Sequence, residues 1–154
     1  MEVKFHANMY DSKTQHIANT IQPVFEKLEL KLSAEYGGDI EHLWIDLELV
    51  ERDTGTMGKP TFPFRFQKRV SGRSQFGLPS MPDIYNVGHL SVKPDYRILE
   101  SNPPEKNIPY ILALIYNELL ILNEKKKKLN GFNSELFISN YLDSCSDLGY
   151  VIKF

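Results

Sequence analysis

Cysteine is nearly absent from this chain of 154 residues, because Cys145 is the only one. A single thiol forms no internal disulfide, whereas small secreted domains usually carry several, so a reducing, cytoplasmic compartment is expected. Long apolar runs are lacking too, since no segment approaches the roughly 18 apolar residues of a spanning helix. The first residues also lack the apolar stretch of a signal peptide, so neither a leader nor a membrane location is expected.

An excess of charge of either sign is also missing. The 18 Lys and Arg residues nearly balance the 20 Asp and Glu residues, which gives a formal net charge of -2. Because no global positive field holds a polyanion, nucleic-acid binding is disfavoured. Hydrophobic residues make up 42% of the chain and charged residues 25%, as in ordinary globular proteins. The length predicts a single domain over residues 1–154.

The clearest pattern is the alternation of residues 41–50. Its apolar side chains fall on one face, and these are Leu43, Ile45, Leu47 and Leu49. Its other face carries His42, Trp44, Asp46 and Glu48. A period of two residues predicts a half-buried strand, around which the remaining elements are arranged.

Before this strand, the chain predicts one strand and one helix. A weaker alternation indicates a strand over residues 2–8. A helix capped by Asp11 or Ser12 follows, with an apolar stripe of helical period from Ile17 to Leu32. Since proline removes a helical hydrogen bond, Pro23 predicts a kink or a division into two shorter helices.

After the central strand, glycine and proline in residues 53–60 predict a hairpin connection. Residues 61–70 form the returning strand, in which Phe62, Phe64 and Phe66 would lie together beneath the sheet. A third strand of the meander is predicted from Tyr85 to Leu99, with a long loop from Ser71 to Asp83 before it.

The C-terminal third predicts two helices and a last strand. The first helix covers about Asn107 to Leu129, and the second starts at Asn133 or Ser134 and buries Cys145. A short strand from Tyr150 to Phe154 ends the chain. The order is strand, helix, three or four strands, two helices, strand. It predicts an α+β fold in which helices pack on one side of an antiparallel meander.

A first candidate site lies on the polar face of the central strand. His42, Asp46 and Glu48 project from one side, and His89 could reach them from a neighbouring strand. Imidazole and carboxylate groups in such a cluster could hold a metal ion, or act as acid and base in a small hydrolase or nuclease. The alternative is the solvated face of a one-sided sheet, which shows the same polar pattern without any chemistry. Trp44 on this face suggests that it is covered, either by a helix of this chain or by a partner.

A second candidate is the 71–83 loop with the strand before it. Arginine, aromatic and Met side chains on a loop shaped by glycine and proline are typical of a protein interface or, less often, of an anion site. The residues are Arg69, Arg73, Gln75, Phe76, Leu78 and Met81. The alternative is that this loop seals the edge of the core. A further alternative is nucleic-acid binding through Arg65, Lys68, Arg69 and Arg73.

In size, mild acidity and single-domain design, with Trp44 beside Asp46 and Glu48 and without a catalytic motif, the chain resembles bacterial immunity proteins of contact-dependent and polymorphic toxin systems. The resemblance implies binding to a toxin domain and blocking of its active site, without a cofactor or chemistry of its own. Asp46 and Glu48 would then steer a basic surface, while Trp44 and the loop supply buried contacts. A sheet edge could also pair with its own copy, so a homodimer stays open.

Overall fold

The computed structural model describes residues 1–9, 14–38, 40–49, 61–71, 83–124 and 131–152, and only the backbone of residues 61–71 and 83–87. These residues form an α+β fold. The elements in chain order are β1 (Glu2–Met9), α1 (Gln15–Leu32), β2 (Ile40–Leu49), β3 (Thr61–Ser71), β4 (Asp83–Val92), α2 (Tyr96–Ser101), α3 (Pro104–Glu124) and α4 (Ser134–Asp147).

The sheet has the strand order β1-β2-β4-β3. β1 runs parallel to β2, and β2 runs parallel to β4, while β3 is antiparallel to β4 at one edge. The predicted antiparallel meander is therefore wrong. The physical reason is the α1 crossover, because a helix of this length returns the chain to start β2 in the same direction as β1. β4 then inserts between β2 and β3 instead of following the chain order.

The antiparallel pairing of β3 with β4 and the extent of β3 agree with the predicted meander, whereas the extent of β4 and the regularity of the register do not. Phe62 lies opposite Ser91 and Phe66 lies opposite Gly88, with an irregular register between them. The regular alternation predicted for the three phenylalanines is thus interrupted. β4 ends at Val92, well before the predicted end at Leu99, because α2 begins at Tyr96. The predicted hairpin between the central strand and the 61–70 strand is wrong, because β4 separates β2 from β3. The residues of the two predicted connections, 53–60 and 72–82, lie outside the described residues.

Helix α1 is one continuous element with Pro23 inside it, so the predicted division into two shorter helices is wrong, while the alternative, a kink, stays a prediction. The apolar stripe explains this, since burying several large side chains outweighs the roughly 3 kcal/mol that an internal proline costs. The buried stripe comprises Ile17, Ala18, Ile21, Val24, Phe25, Leu28 and Leu32. Phe25 stacks on Phe5 of β1 with ring centroids 5.0 Å apart. The predicted caps, Asp11 and Ser12, lie outside the described residues.

Helix α3 begins at Pro104, not at the predicted cap Asn107. Asn107 is instead buried within the helix, where its Nδ2 donates to the Leu99 carbonyl over 3.1 Å. That hydrogen bond ties α2 to α3. α2 itself was not predicted; its cap is Asp95, whose carboxylate accepts from the Arg97 amide at 2.9 Å.

Helix α4 starts as predicted. The side chain of Asn133 caps it by accepting from the Leu136 amide at 3.1 Å. The prediction that Cys145 lies in the core is confirmed, because the thiol is fully buried. The predicted last strand is wrong for residues 150–152, which are in neither a helix nor a strand.

The described helices enclose one hydrophobic core against one face of the sheet. α1 packs on β1, α3 contacts β4, and α4 packs against both α1 and α3. The predicted inner face of β2 lies in this core, with Leu43, Ile45, Leu47 and Leu49 fully buried. No helix in the described ranges is long and apolar enough to cross a membrane.

Two glycines bring the α1–β2 connection against the turn that precedes α4. Gly37 and Gly131 have φ angles of 78° and 84°, a region that L side chains rarely adopt. A Cβ added to Gly37 would lie 3.0 Å from the Gly131 carbonyl oxygen. Beside them, the Asn133 amide donates to the Tyr36 carbonyl at 2.7 Å. The backbones can therefore approach closely only because no side chain stands between them.

Candidate functional site on the open face of the sheet

The sheet face opposite the helices carries the candidate site, and we call it the open face. It consists of side chains that alternate with the core residues along three strands. They are Glu2, Lys4, His6 and Asn8 of β1, His42, Trp44, Asp46 and Glu48 of β2, and His89 and Ser91 of β4. In-register pairing places His6 beside Asp46 and Lys4 beside Trp44. It also places His89 beside Trp44.

Asp46 is the centre of this face. Its Oδ1 lies 3.1 Å from Nδ1 of His6, and its Oδ2 contacts Nε2 of His89. The Asp46 side chain is only 13% exposed, against 49% for His6 and 25% for His89. The Asp46 carboxylate thus contacts one imidazole from each neighbouring strand, and it is less exposed than either ring. Such a contact fixes which nitrogen of each ring faces inward.

The other two carboxylates of the open face also have partners there. Glu48 is buried and accepts from Nδ2 of Asn8 at 3.2 Å. Glu2 lies 3.4 Å from Nζ of Lys4 and 3.7 Å from Nδ1 of His42. The Lys4 ammonium therefore balances charge on Glu2, while Asn8 gives Glu48 a neutral hydrogen-bond partner.

Trp44 lies half-buried in the middle of the open face. The ring of His6 approaches it edge-on, with centroids 6.2 Å apart and planes at 83°. Since His6 also contacts Asp46, the indole is packed against a side chain that is itself held in place.

The structure brings together part of the predicted catalytic or metal set. His89 meets Asp46, as the sequence suggested, whereas His42 turns to Glu2 and Glu48 turns to Asn8. In the part of the chain that the structure describes, no group of three or more His, Cys, Asp or Glu side chains could hold a metal ion.

His6 is the residue that sequence reasoning missed, because its own strand offers it no partner. The order strand, helix, strand in the sequence could have indicated that His6 lies near Asp46. That order favours a parallel pair and would have placed the polar residues of β1 beside those of β2.

The second predicted set lies mostly beyond what the structure describes. Arg69 is on β3, where its backbone pairs with Tyr85. The loop residues Arg73, Gln75, Phe76, Leu78 and Met81 lie outside the described ranges, so their roles stay predictions. Of the cations proposed for nucleic-acid binding, Arg65 and Lys68 are also on β3, opposite His89 and Asn86.

Comparisons of the chain with protein-family models, with curated proteins and with solved structures find no match.

Proposed function

We propose that the chain is a non-enzymatic protein-binding module that acts in the cytoplasm as an immunity protein, covering the active site of a toxin domain with its open face. The observation that carries this proposal is the position of Trp44. A half-buried indole lies at the centre of the sheet face opposite the one whose side chains join the described helices in the core. Tryptophan contributes large contact area at low entropic cost and is enriched among residues that dominate binding energy.

The contacts around Trp44 support a preorganised surface. Asp46 holds both His6 and His89, and His6 in turn packs edge-on against the indole. Side chains that are already fixed lose less rotamer freedom when a partner docks, which favours tight binding. In this proposal Asp46 acts by positioning its neighbours, since most of its own surface is covered.

The binding proposal is tested with Trp44→Ala beside a control variant, Leu30→Ala. Leu30 is 84% exposed on α1, so its truncation also removes apolar surface, but on the helix layer. Partners are captured from lysate of the source cells, and each purified pair is measured by calorimetry. We expect Trp44→Ala to weaken binding by at least about tenfold, or about 1.4 kcal/mol, and Leu30→Ala to leave it unchanged.

Two results would contradict this proposal. Gross loss of circular-dichroism signal in Trp44→Ala would place the indole among the residues that hold the fold together. An unchanged dissociation constant in a folded Trp44→Ala variant would exclude the open face as the docking surface.

The immunity function needs a separate test. The captured protein is expressed alone, with the wild-type chain, and with the Trp44→Ala variant. We expect growth to stop in the first case, to recover fully in the second and to recover less in the third. If the captured protein is harmless by itself, the proposal of a protein-binding module stands but the proposal of an immunity protein is refuted.

A second candidate function is acid–base hydrolysis, and the contact of one carboxylate with two imidazoles favours it. Asp46 orients one nitrogen of each ring, which leaves Nε2 of His6 and Nδ1 of His89 to exchange protons with a substrate. Compared with the set suggested by the sequence, His6 takes the place of His42, and Glu48 drops out.

This candidate is tested by assaying the purified chain against p-nitrophenyl acetate and bis(p-nitrophenyl) phosphate. If the candidate is correct, His6→Gln and His89→Gln each lower the rate by about 100-fold or more. His16→Gln, at an exposed position on α1, serves as the control and keeps the wild-type rate. Rates that are equal in all four proteins would reject it.

A further inference from the structure

The two edges of the sheet are formed by β1 and β3. At β1, side chains of the helix layer reach over the edge. The amide of Val3 donates to Oγ of Ser33 at 3.2 Å, and the amide of Phe5 donates to Oε1 of Glu29 at 2.8 Å. These contacts occupy backbone donors that another strand would need. The end of α1 and the residue after it therefore protect this edge from pairing with another strand.

At the opposite edge lies β3, and no strand of the described residues lies beyond it. Its first part pairs irregularly with β4 and contains Pro63, which has no amide hydrogen to donate. From Arg65 to Ser71 the register is regular, opposite His89 to Asp83. Seven residues in extended conformation present about 23 Å of strand edge, which is enough for a short strand to pair along it.

Charge decides which strand fits this edge. β3 carries the cations Arg65, Lys68 and Arg69, and it contains no Asp or Glu. If a second copy paired antiparallel over the same seven residues, Lys68 would lie opposite Lys68 of that copy, and the Arg69 positions of the two copies would be diagonal neighbours on the other face. Like charges directly opposite destabilise a strand pair, whereas opposite charges stabilise it. The edge therefore favours a strand with acidic side chains over a copy of itself.

We propose that the edge of β3 from Arg65 to Ser71 receives an extended acidic segment of another protein, which adds a strand to the sheet. In this mode main-chain hydrogen bonds supply affinity and side-chain charges supply specificity. The inference rests on the proposed protein-binding function and names its docking edge and the chemistry of the partner. Because Arg65 pairs with His89, which contacts Asp46, a partner on this edge borders the open face.

The test uses a blocked, fluorescently labelled peptide of about ten residues that alternates glutamate and valine, a length that spans the edge. Its matched control alternates lysine and valine. Anisotropy titrations with the full wild-type chain should give at least about tenfold tighter binding of the glutamate peptide, weakened by salt. Amide hydrogen exchange should slow in residues 65–71 when that peptide is bound.

Two charge variants sharpen this test. Arg65→Glu with Arg69→Glu should abolish the preference for the glutamate peptide. Lys27→Glu with Lys106→Glu makes the same charge change at exposed helical positions and should preserve the preference. Comparing the two peptides on wild type needs no variant, so the proposal stays testable if the β3 variant fails to fold.

Several results would overturn the docking edge. They are equal binding of the two peptides, no binding at millimolar peptide, or self-association of the chain with protection of residues 65–71. A captured partner that depends on Trp44 but leaves the exchange of residues 65–71 unchanged would overturn the edge and leave protein binding intact. Peptide binding without any captured partner would support the edge and count against the proposed function.

Discussion

The main-chain amide of Phe5 donates to the side chain of Glu29 over 2.8 Å, so a residue of α1 completes the hydrogen bonding of β1. Phe5 also stacks on Phe25, four residues before Glu29 in the same helix. The helix and the strand are thus joined by an apolar contact and a polar contact only a helical turn apart.

Removing the Glu29 carboxylate should destabilise the fold. Glu29→Ala leaves a partly buried amide without its acceptor, and the expected loss in the free energy of unfolding is about 1–2 kcal/mol. Urea denaturation measures it. Glu26→Ala, at an exposed position one turn earlier, should change the free energy of unfolding by less than about 0.5 kcal/mol. Equal effects of the two variants would contradict the role given to Glu29.

The close approach of Gly37 to Gly131 predicts that alanine destabilises the fold more at Gly37 than at Gly149. Gly149→Ala forces a side chain into a positive-φ conformation where nothing lies within 4 Å, so it should cost about 1–2 kcal/mol. Gly37→Ala has the same backbone cost, and its Cβ also meets the Gly131 carbonyl oxygen at 3.0 Å. We expect Gly37→Ala to lower the thermal midpoint further than Gly149→Ala. The reverse order would show that the two connections separate easily.

Replacing Pro23 should stabilise the chain. Pro23 is exposed in the middle of α1, where it lacks the amide that would bond to the Asn19 carbonyl. Pro23→Ala restores that donor, and the expected gain in the free energy of unfolding is about 1–2 kcal/mol after allowance for the more flexible unfolded chain. Lys27→Ala, which is exposed on the next turn, is the control. A loss of stability in Pro23→Ala would mean that the proline shapes the helix for its packing.

Cys145 should be inert in the folded protein. Burial raises the pKa of its thiol from the usual 9.0 to about 11, and the side chain is fully enclosed. Because the unfolded chain releases the thiol proton near pH 9 while the folded chain retains it, the free energy of unfolding should fall as pH rises from 9 to 11. Cys145→Ala should show a shallower decline over the same range.

Thiol reagent provides a second measurement on Cys145. At pH 8 the wild-type chain should react with it only after denaturant is added. Fast labelling of the native protein would show that the α4 packing opens locally.

The sequence was sufficient for the elements whose apolar pattern is local. The alternation of Leu43 to Leu49 gave the inner face of β2, and the stripe from Ile17 to Leu32 gave the packing face of α1. Both follow from side-chain periodicity and need no knowledge of neighbours. The fold class α+β followed from these elements.

Strand order and direction were not predictable in the same way. A strand with one buried face shows the same alternation of apolar and polar residues in parallel and in antiparallel pairs. The pattern of β2 therefore did not reveal that β1 and β4 flank it in parallel. The site depends on that order. Asp46 meets His6 and His89 from two distant parts of the chain, and only the correct neighbours bring them together.

The position of β4 between β2 and β3 also has a consequence for synthesis on the ribosome. β1, α1 and β2 emerge first, and the side of β2 that pairs with β4 lacks that partner until residues 83–92 are made. At about 5–20 residues per second, the intervening segment takes a few seconds to appear. For that time β2, which is rich in leucine and isoleucine, has one edge without its hydrogen-bonding partner. The nascent chain is therefore most vulnerable to aggregation in the interval after β2 is made and before β4 is made.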